Sequence, residues 1–535
     1  MEFSSKVLTI GIFAHANAGK TTITEHLLYH TNVIGKIGRV DNGDTVTDSM
    51  SVERERGISV RDALVSFVLD DKKIQLIDTP GHIDFSAEVE RAISVLDGAV
   101  LVISGVEGLE AQTYTIWKAL KEKNVPVIIF INKMDRKGAN YNKVIDELKS
   151  HLDIPTVVLR DIKQNNDGVI EIKQSLIDDL IIDVANVDDE TFELYAGNRE
   201  ISNRYLEDKM ITLIKERKLY PVIGGSALTD IGIEDLVNCI GKYIPETKKL
   251  NSEEFSAFVY SIRVNDNVKN AYVKILKGTL ENRNMIKLDD ELSGKVKSIM
   301  IPNGSKLIPT NMVETGDIAV LSGIDVKCGQ VLGDKSSFDK YISFVNPLLT
   351  MEVNPKQKSD LIELMNALRI LNDEDPYLNL RYDEKTNSIY VSLMGEVQSQ
   401  IIENMLIERF NIGVNMEHPI VIRKEVPTLT AEAKATYTSV SGIGLSVRPL
   451  PRGSGMVYVS KVSTDYLHLK YQRQVERLIK YYSKQGLYGW ELTDIEIALI
   501  DGQFDSMGSD PMHFNIITPL ALFRCLKQAK IKLLE

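Results

Sequence analysis

The stretch LTIGIFAHANAGKTTITEHLL, residues 8–28, constrains what this chain can fold into more than any other. Residues 8–13 are a short apolar run of the kind that forms a buried strand, and residues 20–28 repeat apolar side chains at helical spacing. The segment between them, Ala14-His15-Ala16-Asn17-Ala18-Gly19-Lys20-Thr21, fits the phosphate-loop pattern. Ala14 stands where the first glycine usually does, and Thr22 follows just behind. Small side chains let backbone N–H groups turn inward onto phosphate oxygens, and the following helix offers its positive end to the same anion. Lys20 is placed to reach the outer phosphates, and Thr21 to ligate Mg²⁺ through its hydroxyl. A plain strand-to-helix turn with a chance Gly-Lys-Thr would read the same way, so this loop alone does not establish a nucleotide site.

Three further strand ends establish it. Residues 73–77 read as a strand running into Asp78-Thr79-Pro80-Gly81-His82. There a carboxylate can hold the Mg²⁺ water shell and a glycine N–H can grip the γ-phosphate. Residues 127–131 are an apolar strand ending in Asn132-Lys133-Met134-Asp135. An aspartate there accepts hydrogen bonds from the N1–H and 2-amino edge of guanine; adenine lacks that amino group and would leave a buried Asp135 unpaired. Residues 221–224 form a fourth strand, ending in Gly225-Ser226-Ala227-Leu228, where a backbone N–H can meet the guanine oxygen. Each tetrapeptide is weak alone. Four of them in this order match the way open parallel sheets bind ligands at the carboxyl edge of their strands. Asn-Lys-Met-Asp excludes a metabolic kinase, and the set predicts a guanine-nucleotide hydrolase. Between the first two motifs, the charged run 52–60 reads as a surface loop that orders around the γ-phosphate, with Ser59 as a second Mg²⁺ hydroxyl.

At 535 residues the chain is long for one core, which predicts three or four domains. No apolar run approaches the ~20 residues that a membrane span needs, and residues 1–6 lead into the first strand without a signal-peptide pattern. Cys239, Cys328 and Cys525 are far apart and lack metal-ligand spacing, which predicts buried or free thiols in a reducing cytoplasm. A formal charge of −12 argues against a nucleic-acid partner until its distribution is considered. From Val421 onward fifteen Lys+Arg face eleven Asp+Glu, a balance of +4 that leaves −16 for the rest. Such a chain can dock its rear portion alone on a polyanion.

Arg56-Gly57-Ile58-Ser59 together with Asp78-Thr79-Pro80-Gly81-His82 resembles the translational GTPases. The resemblance implies that His82 is catalytic, orienting the water that attacks the γ-phosphate. Residues 252–342, with turns at Lys277-Gly278, Thr315-Gly316-Asp317 and Ser322-Gly323, look like the β-barrel second domain of the elongation factor G branch. Met351-Glu352-Val353-Asn354-Pro355-Lys356, Glu374-Asp375-Pro376 and Met394-Gly395-Glu396-Val397 resemble its small α+β third domain, which is ferredoxin-like. Later motifs are more specific. Ile443-Gly444-Leu445-Ser446-Val447, Pro449-Leu450-Pro451, Gly453-Ser454-Gly455 and Gln485-Gly486-Leu487-Tyr488-Gly489-Trp490 are similar to the tetracycline-resistance ribosomal protection proteins of the TetM/TetO type, in collinear order over nearly the whole chain.

The implied fold is multidomain α/β and β. A phosphate-loop GTPase domain with a parallel-rich doubly wound sheet covers 1–248, a β-barrel 252–342, an α+β third domain 346–419 and an α+β fourth domain 420–535. The implied function is a ribosome-dependent GTPase that releases tetracycline indirectly from the bacterial 70S ribosome. GTP or GDP and Mg²⁺ are its expected cofactors, and a cytoplasmic monomer without membrane contact its expected state. A translocation or recycling factor, and a ribosome-binding protein with little turnover, remain open as alternatives.

A basic stripe at helical spacing, which is more often a plain solvated face, fits the ribosome contact that the resemblance implies. Leu467, Tyr471, Val475, Leu478 and Tyr482 form one apolar face, and Lys470, Arg473, Arg477, Lys480 and Lys484 recur with the same period on another. With Arg448, Arg452 and Lys461 nearby, and Asp465 and Glu476 opposing, the stripe is expected to meet ribosomal RNA phosphates. The resemblance carries Ser506, Met507 and Gly508 to the loop tip that reaches toward the drug site. The acidic run 178–193 reads as a solvated insertion, and residues 519–533 as a closing helix.

Several positions depart from the family. Asn17 replaces the usual aspartate, keeping an oxygen for a hydrogen bond or a monovalent cation but losing the charge. Ala16 replaces valine and thins the apolar gate expected with Ile58 beside His82; Ser59 replaces threonine and keeps the hydroxyl. Residues 436–442 are short where relatives often carry a proline-rich loop, and Met507-Gly508 stands where they often have Pro-Val. The chain stops at Glu535, where the family continues into a fifth domain of very roughly 100 residues, expected to be lacking here.

Overall fold

The apolar run near the start becomes β1 (Lys6–Ala14), buried along almost its whole length. In this computed structural model the described residues are 6–38, 45, 53, 59–164, 170–246, 254–265, 268–288, 292–335, 347, 349–383, 388–417, 420–421, 423–437, 440–505 and 508–534. Arg54, Glu55, Arg56, Gly57, Ile58, Ser506 and Met507 lie outside them. The chain divides into two units, Met1–Pro347 with Met351–Glu417, and Leu348–Thr350 with His418–Glu535.

The first unit opens with a seven-stranded sheet. Its further strands are β2 (Ala63–Leu69), β3 (Lys72–Asp78), β4 (Gly98–Ser104), β5 (Val127–Asn132), β6 (Thr156–Val158) and β7 (Tyr220–Gly224), in the order β2-β3-β1-β4-β5-β7-β6. Only the β2–β3 pairing is antiparallel. A parallel sheet needs both faces covered, which explains near-continuous apolar strands. On one face Leu8, Ile10 and Ile12 pack with Ile23, Leu27 and Leu28 of α1 (Lys20–His30). On the other, Phe13 joins Val89 and Ile93 of α2 (Ser86–Ile93), Trp117 of α3 (Ala111–Glu122) and Val144 of α4 (Tyr141–His151). The acidic run is helical and solvated only in part: Asp178, Asp179, Asp189, Glu190 and Glu193 are exposed. It forms α5 (Ile177–Ala185) and α6 (Asp189–Ala196), and Ile181 and Val184 join the first core beside Leu206 and Met210 of α7 (Asn203–Lys215) and Leu236 of α8 (Ile233–Tyr243). The charges had masked an apolar pair three residues apart, which is one helix face.

Strands β8 (Ser256–Asn265), β9 (Val268–Lys277), β10 (Ser298–Asn303), β11 (Lys306–Thr310), β12 (Ile318–Ser322) and β13 (Val331–Gly333) form a sheet in the order β11-β10-β12-β9-β8-β13. Its pairings are antiparallel, and two two-stranded ribbons close around the same core, contributing Leu280, Ile286 and Val313. Next come β14 (Leu349–Pro355), α9 (Leu361–Glu374), β15 (Arg381–Asp383), β16 (Ser388–Leu393), α10 (Glu396–Phe410) and β17 (Val414–Met416). Their order βαββαβ and sheet order β15-β16-β14-β17 make this segment ferredoxin-like.

The second unit holds β18 (Lys424–Pro427), β19 (Ala431–Tyr437), β20 (Ser441–Pro449), β21 (Met456–Ser460), α11 (Leu469–Tyr482), β22 (Glu491–Leu492), β23 (Ile495–Gln503), α12 (Pro511–Gln528) and β24 (Ile531–Leu534). A sheet β19-β20-β23-β21 packs on the two helices, and β22-β18-β24 forms a smaller one. The expected closing helix over 519–533 is thus displaced. Pro519 lies inside α12, which starts at Pro511 behind an Asp510 cap. Lys530 then takes a left-handed turn (φ 52), and Ile531–Leu534 pairs antiparallel with β18. The Gln485–Trp490 motif folds around Glu425, which is fully buried. Its carboxylate accepts from the N–H groups of Leu487 (2.6 Å), Tyr488 (2.7 Å) and Trp490 (3.0 Å). Gly486 presses so close to that carboxylate that a Cβ would collide with it.

Glu425→Ala leaves these amides without their acceptor, at about 1–3 kcal/mol for each buried group left unsatisfied. Urea unfolding followed by Trp490 emission, with Trp117 replaced by Phe, is expected to show the unit destabilised by roughly 3 kcal/mol or more. An unchanged midpoint would show that the carboxylate does not hold the loop.

Candidate nucleotide site

The carboxyl ends of β1, β3, β5 and β7 bring the four predicted motifs to one edge of the first sheet. Ala14 is the last residue of β1, and the loop begins at His15. Asn17 is exposed with φ 64 and Gly19 has φ 95, while the Ala18 N–H turns back to the His15 carbonyl (3.3 Å). Asparagine tolerates the left-handed region better than most residues, which gives Asn17 a local reason beyond its oxygen. Ala16 is half-buried and Ala18 buried. Burial holds the His15 imidazole below its ordinary range, against the opposing pull of Glu110 and Glu107.

Lys20 is buried and ion-paired with Asp78, itself 2% exposed. Thr21 Oγ1 lies 3.5 Å from Ser59 Oγ, so the two predicted Mg²⁺ hydroxyls meet; Thr22 is half-buried beside them in sequence. Thr79 donates its hydroxyl to the Ile12 carbonyl (2.8 Å), pinning the Asp78–Thr79 corner to β1, and Pro80 is buried. Gly81 lies against the phosphate loop, where a Cβ would touch the Ala14 and His15 carbonyls. His82 is half-buried, and its Nδ1 accepts from the Asp84 N–H (3.2 Å), which orients the ring.

Asn132 ties the other loops together. Its Nδ2 donates to the Ala18 carbonyl (2.8 Å), and its Oδ1 accepts from the Ala227 N–H (2.9 Å). Gly19 is required beside it, since a Cβ there would collide with the Asn132 amide. Lys133 takes φ 62 and reaches Glu107 (3.3 Å). Met134 is buried, with its N–H on the Gly225 carbonyl (3.0 Å). Asp135 is half-buried, where the sequence reading had it buried. Ser226 and Ala227 are buried and Leu228 is exposed.

Sequence reasoning missed Asp84. Its carboxylate accepts from the N–H groups of Val397 (2.9 Å) and Gln398 (3.2 Å), capping α10 from outside the helix. The signal lay in Met394-Gly395-Glu396-Val397, because a Cβ on Gly395 would overlap Asp84. Glu374 was missed as well; it accepts from Arg61 (2.6 Å), Arg409 (2.8 Å) and the Val264 N–H (2.8 Å).

Residues 5–246 match the elongation factor Tu GTP-binding domain, 344–418 elongation factor G domain III and 424–530 elongation factor G domain IV. The chain is 38% identical to tetracycline resistance protein TetP of Clostridium perfringens, covering 99% of this chain and 83% of that protein. It is 35% identical to TetS of Listeria monocytogenes and 34% to TetM of Neisseria meningitidis, covering 99% of this chain and 84% of each. The chain belongs to the tetracycline resistance protein family. It is a GTPase of the elongation-factor type that binds GTP and GDP. A crystal structure of a Thermus thermophilus protein shares the fold at TM-score 0.68 and 21% identity, over 99% of this chain and 86% of that one.

In this tetracycline resistance family member the predicted basic stripe maps to the second unit, with corrections. The buried line of α11 runs through Tyr471, Val475 and Ile479, extending Leu467; Leu478 is half-buried. Arg448 is held in a two-pronged pair with Glu496 (2.7 and 2.6 Å), which lowers the Glu496 pKa. Lys461 also lies 3.9 Å from Glu496, and Lys480 pairs with Glu476 (2.6 Å). Glu496 is therefore a third opposing acid. Arg452, Arg473 and Arg477 are exposed, as is Lys470, whose ammonium sits over the Tyr471 ring. Gly508 is exposed, its N–H on the Asp505 carboxylate.

Asn132→Ala orphans the Ala18 carbonyl and the Ala227 N–H together, a loss of at least about 2 kcal/mol. Fluorescent-GDP displacement is therefore expected to show affinity weakened roughly 30-fold or more. Unchanged affinity would mean that the two loops hold their places without it.

Proposed function

We propose that this chain binds the bacterial ribosome as its GTP complex, releases tetracycline from it, hydrolyses GTP and leaves. The observation that carries this reading is the convergence of four strand-end motifs on one sheet edge, in a chain similar over 99% of its length to tetracycline resistance proteins. It works in the cytoplasm as a monomer, and no described helix is long and apolar enough to cross a membrane. Its domains are a GTPase domain over 1–248, a barrel over 252–342, a ferredoxin-like domain over 346–419 and a ribosome-contacting domain over 420–535.

Lys20 and the amides of residues 14–22 hold the phosphates. The hydroxyls of Thr21 and Ser59 beside the Asp78 carboxylate are hard oxygen donors of the kind that suits Mg²⁺. Held by these residues, such an ion would supply charge neutralisation for the nucleotide phosphates. The Asn17 oxygen is available to a monovalent cation. Gly81 offers its N–H to the γ-phosphate, and His82 orients the attacking water. Because Asp84 both orients the His82 ring and caps α10, a shift of α10 reaches the ring through two hydrogen bonds. Asn132, Lys133 and Asp135 read guanine, with an amide of the Ser226-Ala227-Leu228 turn on its oxygen. Arg452, Lys470, Arg473 and Arg477 meet ribosomal RNA phosphates, with Arg448 and Lys480 joining them once their carboxylate partners are exchanged.

The test adds ribosomes and tetracycline to a translation reaction and follows both protein synthesis and phosphate release. Wild type is expected to restore synthesis and release phosphate faster with ribosomes present. His82→Ala is expected to keep wild-type GDP affinity and lose about 10²–10⁴-fold of the stimulated rate. Stimulated turnover without relief from the drug would favour a translocation or recycling factor instead. A second measurement addresses the base: Asp135→Asn is expected to move preference from GTP toward xanthosine triphosphate, since an amide can donate to the oxygen that replaces the 2-amino group. Wild type binding ATP as tightly as GTP would sink the guanine assignment.

A further inference from the structure

Helix α1 leaves the phosphate loop with two histidines on one face, His26 and His30, four residues apart. His26 is buried, so packing fixes its ring before any ligand arrives; His30 is exposed. Both reach the same carboxylate on the turn after β7. His26 Nδ1 lies 2.7 Å from Asp230 Oδ1, and His30 Nε2 lies 2.8 Å from Oδ1 and 3.0 Å from Oδ2. Asp230 is itself held in place, at φ 60, because the turn is closed by reciprocal backbone bonds between Ser226 and Ile231 (3.0 Å each).

We infer that His26, His30 and Asp230 form a binding site for one divalent transition-metal ion of the Zn²⁺ class, linking α1 to the Ser226–Ile231 turn. One donor atom from each residue lies within 4.8 Å of the others, and among the described residues this is the one such group of three. Two imidazoles and one carboxylate are the ligand chemistry of Zn²⁺ or Co²⁺, whereas Mg²⁺ and Ca²⁺ take oxygen ligands. Bonds of about 2.0–2.1 Å in a tetrahedral arrangement place donor atoms roughly 3.3 Å apart. The present contacts, at 2.7, 2.8 and 3.0 Å, are shorter than that by roughly a third to two thirds of an ångström. Small rotations of the exposed His30 and Asp230 side chains open that gap while His26 stays put. The exposed side of the cluster leaves a fourth position for water, the pattern of a three-ligand site.

The placement carries a consequence. The same helix begins at Lys20, and the same turn carries Ser226, Ala227 and Leu228. An ion joining them braces the nucleotide pocket from behind, and coupling between two ligands is reciprocal: whatever the metal does to GDP affinity, GDP does to metal affinity.

The test is titration of tag-free protein with Co²⁺, in the presence of saturating GDP and Mg²⁺, read by visible absorption and by Zn²⁺ competition. One equivalent is expected to bind with d–d bands typical of four- or five-coordination. His30→Ala and Asp230→Asn, both at exposed positions, are expected to weaken binding at least about 10-fold, with circular dichroism reporting that the fold is kept. Zn²⁺ is expected to slow GDP release from wild type and leave His30→Ala unaffected. Absence of stoichiometric Co²⁺ binding, or the same affinity and spectrum in both variants, overturns the site. Equal GDP release with and without Zn²⁺ in wild type overturns the coupling.

Discussion

The nucleotide edge of this protein depends on one side-chain amide, that of Asn132. β1 and β7 are not neighbours; β4 and β5 stand between them. Their loops therefore have no ladder to hold them in register. Asn132, at the end of β5, bonds the Ala18 carbonyl with one end of its amide and the Ala227 N–H with the other. Buried backbone groups need partners, and beyond the strand ends a side chain has to supply them. Gly19 is the complementary requirement, because the amide occupies the space a Cβ would need.

The same logic recurs wherever two segments of the first unit meet. Asp84 supplies the cap that α10 lacks from its own sequence. Glu374, at the end of α9, gathers Arg61, Arg409 and the Val264 N–H onto one carboxylate, while Asp375 beside it takes Arg91 (3.0 Å). Buried charges are tolerated when they are paired and hydrogen-bonded. Such joints are directional and few, so they can open or close without repacking the apolar cores on either side.

In the second unit, charge at helical spacing identifies a face but not a partner. The spacing of Lys470, Arg473, Arg477 and Lys480 is a property of the local chain. Whether each cation is already engaged is a property of the fold, and Arg448 on Glu496 and Lys480 on Glu476 are. The exposed remainder, Arg452, Lys470, Arg473, Arg477 and Lys484, is a narrower surface than the composition suggested.

By itself the sequence determined the features that close on their own neighbours: the strand–loop–helix at residues 8–28, the strand ends that carry the motifs, the barrel's turn-rich strands and the period of α11. Local sterics and hydrophobic periodicity are enough for these. It misjudged residues whose state depends on something distant. The acidic helices α5 and α6 looked solvated because charge outnumbered the buried pair Ile181 and Val184. Residues 531–533 looked helical because their strand partner lies more than a hundred residues earlier, at β18. Only the tertiary structure decided that Glu425 would be enclosed by the amides of Leu487, Tyr488 and Trp490, and that Asp230 would meet two histidines some two hundred residues before it. Each of these contacts joins polar groups whose residue types are common and whose spacing along the chain carries no signal. Their pairing follows from which strand ends and helix faces the apolar cores bring together.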